Sequence, residues 1–272
     1  MVVGILLAIV AMVLYSGGAL LQAEGTRRAT RRRPVAVQPR YLIGLSLDFL
    51  AFLCVAAALR ELPVFAVQAV VGGAIALTAV VGAWLVGARM TSAMRLAVAG
   101  CLGGLVLVAA SAGPEQPPAR QQGVDVVLLV ACLLLAVAVL VLRQSRRAWP
   151  LAAIAGIGFG GISLSVRAAH VQTAESLDLV LLLTQPSTYL VAGFWIVGMI
   201  GHVAALARGD VGAVTAVYTV AQVLVPGLVG ILLLGDAVRP GWWWVTVLGL
   251  IAAVAGSVVI ARHPPLRPPR VK

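Results

Sequence analysis

The chain is built from long apolar runs divided by short polar breaks. Each run is about 20 residues, the length a helix needs to cross a hydrocarbon layer of roughly 30 Å. The runs predict nine spans: 3–22, 41–59, 63–86, 95–111, 125–142, 149–166, 189–206, 211–234 and 242–261. A membrane barrel would instead alternate apolar and polar positions over about ten residues, and no such segments occur. One stretch resists this division. The core of 167–188, Leu177 to Leu183, is too short to cross, which leaves a re-entrant or interfacial piece, or a tenth crossing, as the readings open to it.

The breaks recur at matching distances. Ala57-Ala58-Leu59 is followed 28 positions after Leu59 by Gly87, and Ala204-Ala205-Leu206 is followed 29 positions after Leu206 by Gly235. Tyr41-Leu42 and Tyr189-Leu190 stand at equivalent distances before these marks, and Gly17-Gly18 and Gly160-Gly161 close the runs before them. The spacing predicts an all-α polytopic membrane protein made of two related four-helix repeats. Residues 1–111 form the first repeat, 112–148 a linker with a connecting helix, 149–261 the second repeat and 262–272 a basic tail.

Composition agrees: 61% apolar and 11% charged residues cannot furnish the polar surface of a soluble domain. The net charge of +11 does not signal nucleic acid, because the basic residues cluster between the apolar runs. Placing the N-terminus outside puts 16 of the 20 basic residues on the cytoplasmic side and leaves Arg60, Arg120, Arg167 and Arg239 outside. The C-terminus is then cytoplasmic, and the expected location is the plasma membrane or bacterial inner membrane. Span 1, with no basic residue before it, reads as a retained helix rather than a leader. In this orientation the connecting helix inverts the second repeat relative to the first. Two oppositely oriented bundles around a midplane site are the architecture of many secondary transporters.

The sequence Ala205-Leu206, an apolar run, Leu234-Gly235-Asp236 and a final helix with Gly249 and Gly256 resembles the closing half of EamA-type domains of the drug/metabolite transporter superfamily. Tyr41-Leu42-Ile43-Gly44, Ala58-Leu59 and Val67-Gln68 are similar to the nine-span branch that includes NIPA-type magnesium transporters. The resemblance implies alternating-access transport of a small solute, with metabolite or drug export foremost. A magnesium or other divalent-cation carrier, a flippase for lipid-linked sugars and a non-transporting membrane scaffold are the alternatives. Three departures stand out: Ala88 follows Gly87 where an acidic residue is expected, Ala69 follows Gln68 where this branch often has proline, and span 1 contains no glutamate.

Asp48 is the carboxylate well inside a span, where a charge is costly unless neutralised, paired or wet, so it is the candidate coupling group. A structural, hydrogen-bonded aspartate is the competing reading. Gln68 and Gln222 are suited to orienting a solute or to bonding between helices, and His202 to relaying protons or simply packing. Tyr15, Trp195 and Tyr218 are candidate cavity-lining aromatics. Pro226-Gly227 is expected to open span 8 at membrane depth, or else merely to bend it. Asp125 and Asp236 read as helix-end or loop charges, and Gly156, Gly158, Gly160 and Gly161 as sites of close helix contact. Arg27, Arg28, Arg31, Arg32 and Arg33 fix topology and offer contacts to anionic headgroups.

Cys54, Cys101 and Cys132 have neither paired nor metal-type spacing. The scattered histidines and absent phosphate loop point away from enzymatic chemistry, a resident metal or a cofactor. The expected partners are membrane lipids and a small-molecule, ionic or lipid-linked substrate, with a second copy or another membrane protein also compatible.

Overall fold

A computed structural model describes residues 2–28, 37–87, 90–113, 123–142, 144–145, 147–172, 184–209 and 211–262. Its helices are α1 (Val2–Arg27), α2 (Pro39–Ala58), α3 (Val64–Gly72), α4 (Ala74–Val86) and α5 (Ser92–Ala110). They continue as α6 (Val124–Leu142), α7 (Trp149–Gln172), α8 (Pro186–Leu206), α9 (Val211–Leu233) and α10 (Trp243–Arg262). Taken together, α3 and α4 make one span, so the described residues hold nine helices long and apolar enough to cross a membrane. The chain is an all-α, multi-pass membrane protein.

The ends follow local chemistry. Pro39 and Pro186 begin α2 and α8 at positions where a missing N–H costs nothing, and the Thr91 hydroxyl accepts from the Met94 amide to cap α5. Gly87 and Gly235 turn the chain after α4 and α9 with φ of 66° and 71°, a left-handed conformation that glycine adopts without strain.

Tertiary contacts sort the helix ends onto two faces. On the first face, the Gly4 amide donates to Glu61 Oε2 at 2.9 Å, and the end of α5 pairs with the loop before α10 through Gly113 N–H to Ala237 O and Arg239 N–H to Ser111 O, both 2.9 Å. On the second face, Arg40 meets Glu24 at 3.1 Å and Arg208 Nε donates to the Ser145 carbonyl at 3.1 Å. This sorting is the one required if each span crosses once.

Small residues set the packing. α1 lies on α2 through Gly18, Gly25 and Gly44, while α5 lies on α10 where a Cβ at Gly249 would be 2.7 Å from the Gly104 carbonyl oxygen. α7 is wedged between α8 and α9. Its Gly158 and Gly161 face Gly198 and Phe194, and its Gly156 and Gly160 face Tyr218 and Pro226, as the glycine spacing foretold. In consequence α7 is the central helix, with 67% of its span buried inside the protein against 17% for α6, which is apolar all round.

Three expectations need correction. α9 runs unbroken through Pro226, because the proline ring is fully buried beside Gly160 of α7 and glycine there leaves room for it. The interruption lies instead in span 3, at Gly73. There a Cβ would sit 2.6 Å from Leu105 Cδ1 and 2.9 Å from Met12 Sδ, so the backbone approaches both neighbours and the helix restarts as α4. α7 also extends past Val166 to Gln172, one and a half turns longer than the apolar run, because Arg167 is a buried part of it. The Leu177 to Leu183 core falls outside the described residues.

Candidate functional site

Asp48 lies nine residues into α2, about 14 Å along its axis at the α-helical rise. Its neighbour on α1 is Gln22, whose Nε2 donates to Asp48 Oδ2 at 2.6 Å. The approach is possible because Gly18 presents no side chain: a Cβ there would collide with Asp48 Oδ1 and come within 3.0 Å of the Gly44 carbonyl. The carboxylate is therefore half-buried, hydrogen-bonded on one oxygen and backed by bare glycine backbone.

Two phenols interact electrostatically with this carboxylate. Tyr15 on α1 lies within electrostatic reach of Asp48, of Cys54 and of Tyr218, and Tyr218 on α9 is within reach of Asp48. Gln222 stands one turn further along α9, within interaction range of the Tyr218 hydroxyl. Its ring meets Phe159 of α7 edge-on, with centroids 5.8 Å apart and planes at 84°, and meets His202 of α8 at 5.3 Å. Phe159 and His202 are themselves 6.4 Å apart. His202 Nδ1 is buried and has no hydrogen-bond partner among the described residues.

Asp48, Tyr218, Gln222 and His202, picked out separately in the sequence, thus belong to one constellation, to which Gln22, Tyr15 and Phe159 are added. It joins α1 and α2 of the first half to α7, α8 and α9 of the second. Asp48 brings the charge; the other members are neutral donors, acceptors and rings. Gln22 went unnoticed in the sequence because it sits where span 1 gives way to the basic loop, although a glutamine one turn after Gly18 is a readable signal for a helix contact.

Gln68 and Pro226 stand apart from this group. Gln68 is buried, and its amide nitrogen donates to the Ser163 hydroxyl on α7, so it bonds helix to helix. Pro226 packs against Gly160. Among the arginines, Arg28 Nε pairs with Glu24 at 2.6 Å in an exposed network that also takes in Arg40. Arg31, Arg32 and Arg33 lie outside the described residues, as does the side chain of Arg27.

Asp236 and Arg167 are corrections of another kind. Read from the sequence as span-end charges, they form a buried ion pair, Nη2 to Oδ1 at 3.8 Å, with side-chain exposures of 5% for Arg167 and 0% for Asp236. Arg167 Nη1 also donates to the Leu59 carbonyl at 2.5 Å, and Asp236 Oδ2 accepts from the Val64 amide at 2.6 Å. The pair therefore ties α7 and the α9–α10 loop to the α2–α3 turn. A partner 69 positions away in sequence leaves no local trace, and a charge after an apolar run is ordinarily a boundary marker.

Among the described residues, no group of three or more His, Cys, Asp or Glu side chains is placed to hold a metal ion. Compared with family models, curated proteins and solved structures, the chain matches none of them.

Proposed function

We propose that the protein is a secondary transporter in which Asp48 binds the coupling proton or cation and, with Tyr15, Tyr218 and Gln222, receives a small solute. The observation that carries this reading is the position of Asp48: a half-buried carboxylate well inside the α2 span, hydrogen-bonded to Gln22 and within electrostatic reach of a phenol from each half of the chain. A carboxylate inside a span is costly unless it is neutralised, paired or wet, so one set among polar neighbours is read as a working site. Among the described residues the constellation holds no Lys or Arg, which favours solutes that are cationic or neutral over anionic ones. Transport is alternating access between two oppositely oriented halves, in keeping with the resemblance to the drug/metabolite transporters. The corresponding packing of α1 on α2 and of α7 on α8, and the matching left-handed ends at Gly87 and Gly235, support that arrangement. The second face, which carries most of the basic residues among those described, is cytoplasmic in this reading.

The test is proton-coupled flux in liposomes of the purified protein loaded with a pH-sensitive dye. External tetraethylammonium, neutral and basic amino acids, and magnesium chloride serve as probes. At least one organic probe is expected to drive proton movement, and Asp48→Asn to reduce it tenfold or more. Flux unchanged in that variant removes Asp48 from coupling, and silence with every probe favours a scaffold role.

A further inference from the structure

Four buried polar side chains bridge the halves on the first-face side of the Asp48 constellation. Gln68 on α3 donates to Ser163 on α7, and one helical turn further out Arg167 on α7 meets Asp236, which in turn accepts from Val64 at the start of α3. Val64 and Gln68 are spaced i, i+4 on α3; Phe159, Ser163 and Arg167 are spaced i, i+4, i+8 on α7. The two rows face each other, and the α7 row runs from a ring that touches Tyr218 to the membrane edge.

The outermost members are arranged as a latch rather than as a core. Each charged group is bonded to the backbone of a helix end: Arg167 to the carbonyl of Leu59 after α2, Asp236 to the amide of Val64 at the start of α3. A carboxylate at a helix N-terminus and a guanidinium at a C-terminus are both placed to satisfy groups the helices leave open. Asp236 reaches this spot because Gly235 reverses the chain at φ 71° and Gly230 leaves room, since a Cβ there would be 2.5 Å from Asp236 Oδ2. A buried ion pair contributes little to stability compared with apolar packing of the same volume, but it discriminates sharply between an arrangement in which both partners meet and one in which they part. At the other glycine-terminated helix end, Gly87 makes the same left-handed turn, and the residue after it is Ala88. That turn supplies no carboxylate.

We propose that Arg167 and Asp236, with the Leu59 carbonyl and Val64 amide they engage, form the gate on the first face, and that they must separate for the Asp48 constellation to open to that side. The inference rests on the transporter reading of that constellation. Charge then closes the protein on the first face.

The experiment reads access without a known solute. Tyr15→Cys is introduced after Cys54, Cys101 and Cys132 are each changed to alanine, and a membrane-impermeant, positively charged methanethiosulfonate reagent is applied from either side of oriented vesicles. With the latch intact, labelling from the first-face side is expected to be slow. In Arg167→Gln/Asp236→Asn, which removes both charges together, it is expected to rise fivefold or more. Equal first-face rates in latched and unlatched proteins overturn the gate. Spin labels at Arg60→Cys and Arg239→Cys in the otherwise cysteine-free chain give a second measure that leaves the latch residues unaltered. They are expected to show a close and a wider separation between the α2–α3 turn and the α9–α10 loop, and a single close distance under all conditions also overturns it. Access that changes without any probe flux keeps the gate and sinks the transporter reading. Flux with unchanged access does the reverse.

Discussion

Gly103 and Gly104 are adjacent on α5 and stand in opposite surroundings: a Cβ at Gly103 meets nothing within 4 Å, whereas one at Gly104 runs into the Gly249 carbonyl and Ala253 of α10. Gly103→Ala is therefore expected to leave thermal unfolding in detergent unchanged or raise it slightly, since alanine is the better helix former by up to about 1 kcal/mol. Gly104→Ala must push two backbones apart, at a cost of about 1–3 kcal/mol typical of overpacking. Equal melting temperatures for the two variants would show that α5 and α10 are not in backbone contact.

The α1–α2 contact makes a sharper case, because function and packing share it. Gly18→Ala places a methyl group against Asp48 Oδ1, so it is expected to lower thermal stability and also to impair proton-coupled flux in the folded fraction. Gly17→Ala is the control, its nearest neighbour being Leu47 Cδ1 at an ordinary 3.6 Å. Flux normalised to folded protein separates the two effects: if Gly18→Ala transports as well per folded molecule as Gly17→Ala, the carboxylate does not need the space beside it.

Nine spans, their order and the glycine faces of α7 were legible in the sequence because each is a property of a short window: length in lipid, or the absence of a side chain. Asp48 was legible for the same reason, as a charge where its neighbours are apolar. What the sequence withheld is pairing. Nothing local links Arg167 to Asp236, Gln68 to Ser163 or Tyr218 to His202, and each partner by itself has a bland explanation. The break at Gly73 was missed, and one at Pro226 expected instead, because proline is the stronger helix breaker in isolation. Neighbours decided the outcome: glycine opposite Pro226 accommodates its ring, while Leu105 and Met12 close on Gly73.

Tyr218 divides into a ring and a hydroxyl, and substitutions can part them. Tyr218→Phe keeps the edge contact with Phe159 and loses the hydroxyl that interacts with Gln222 and, electrostatically, with Asp48. It is expected to melt within about 1 kcal/mol of the parent, the typical net worth of one hydrogen bond, and to transport with a raised apparent KM. Tyr218→Ala removes the half-buried ring as well and is expected to lose clearly more than Tyr218→Phe, because the edge contact with Phe159 goes with it. A normal KM in Tyr218→Phe would place the hydroxyl outside the solute site.

The energetics of the Arg167–Asp236 pair give a prediction independent of transport. Removing one partner takes the counter-charge of the pair from the other, so Arg167→Met and Asp236→Asn are each expected to destabilise, by about 3–5 kcal/mol where the remaining charge stays buried. The two losses should not add. With both charges gone nothing is left uncompensated, and the asparagine side chain still offers an oxygen to the Val64 amide, so the double variant is expected to be more stable than either single one. A double-mutant cycle measured by thermal or denaturant unfolding in one detergent yields the coupling directly. Additive losses would mean that the two side chains do not interact in the folded protein, and the tie between α7, the α9–α10 loop and the α2–α3 turn would then rest on their backbone hydrogen bonds alone.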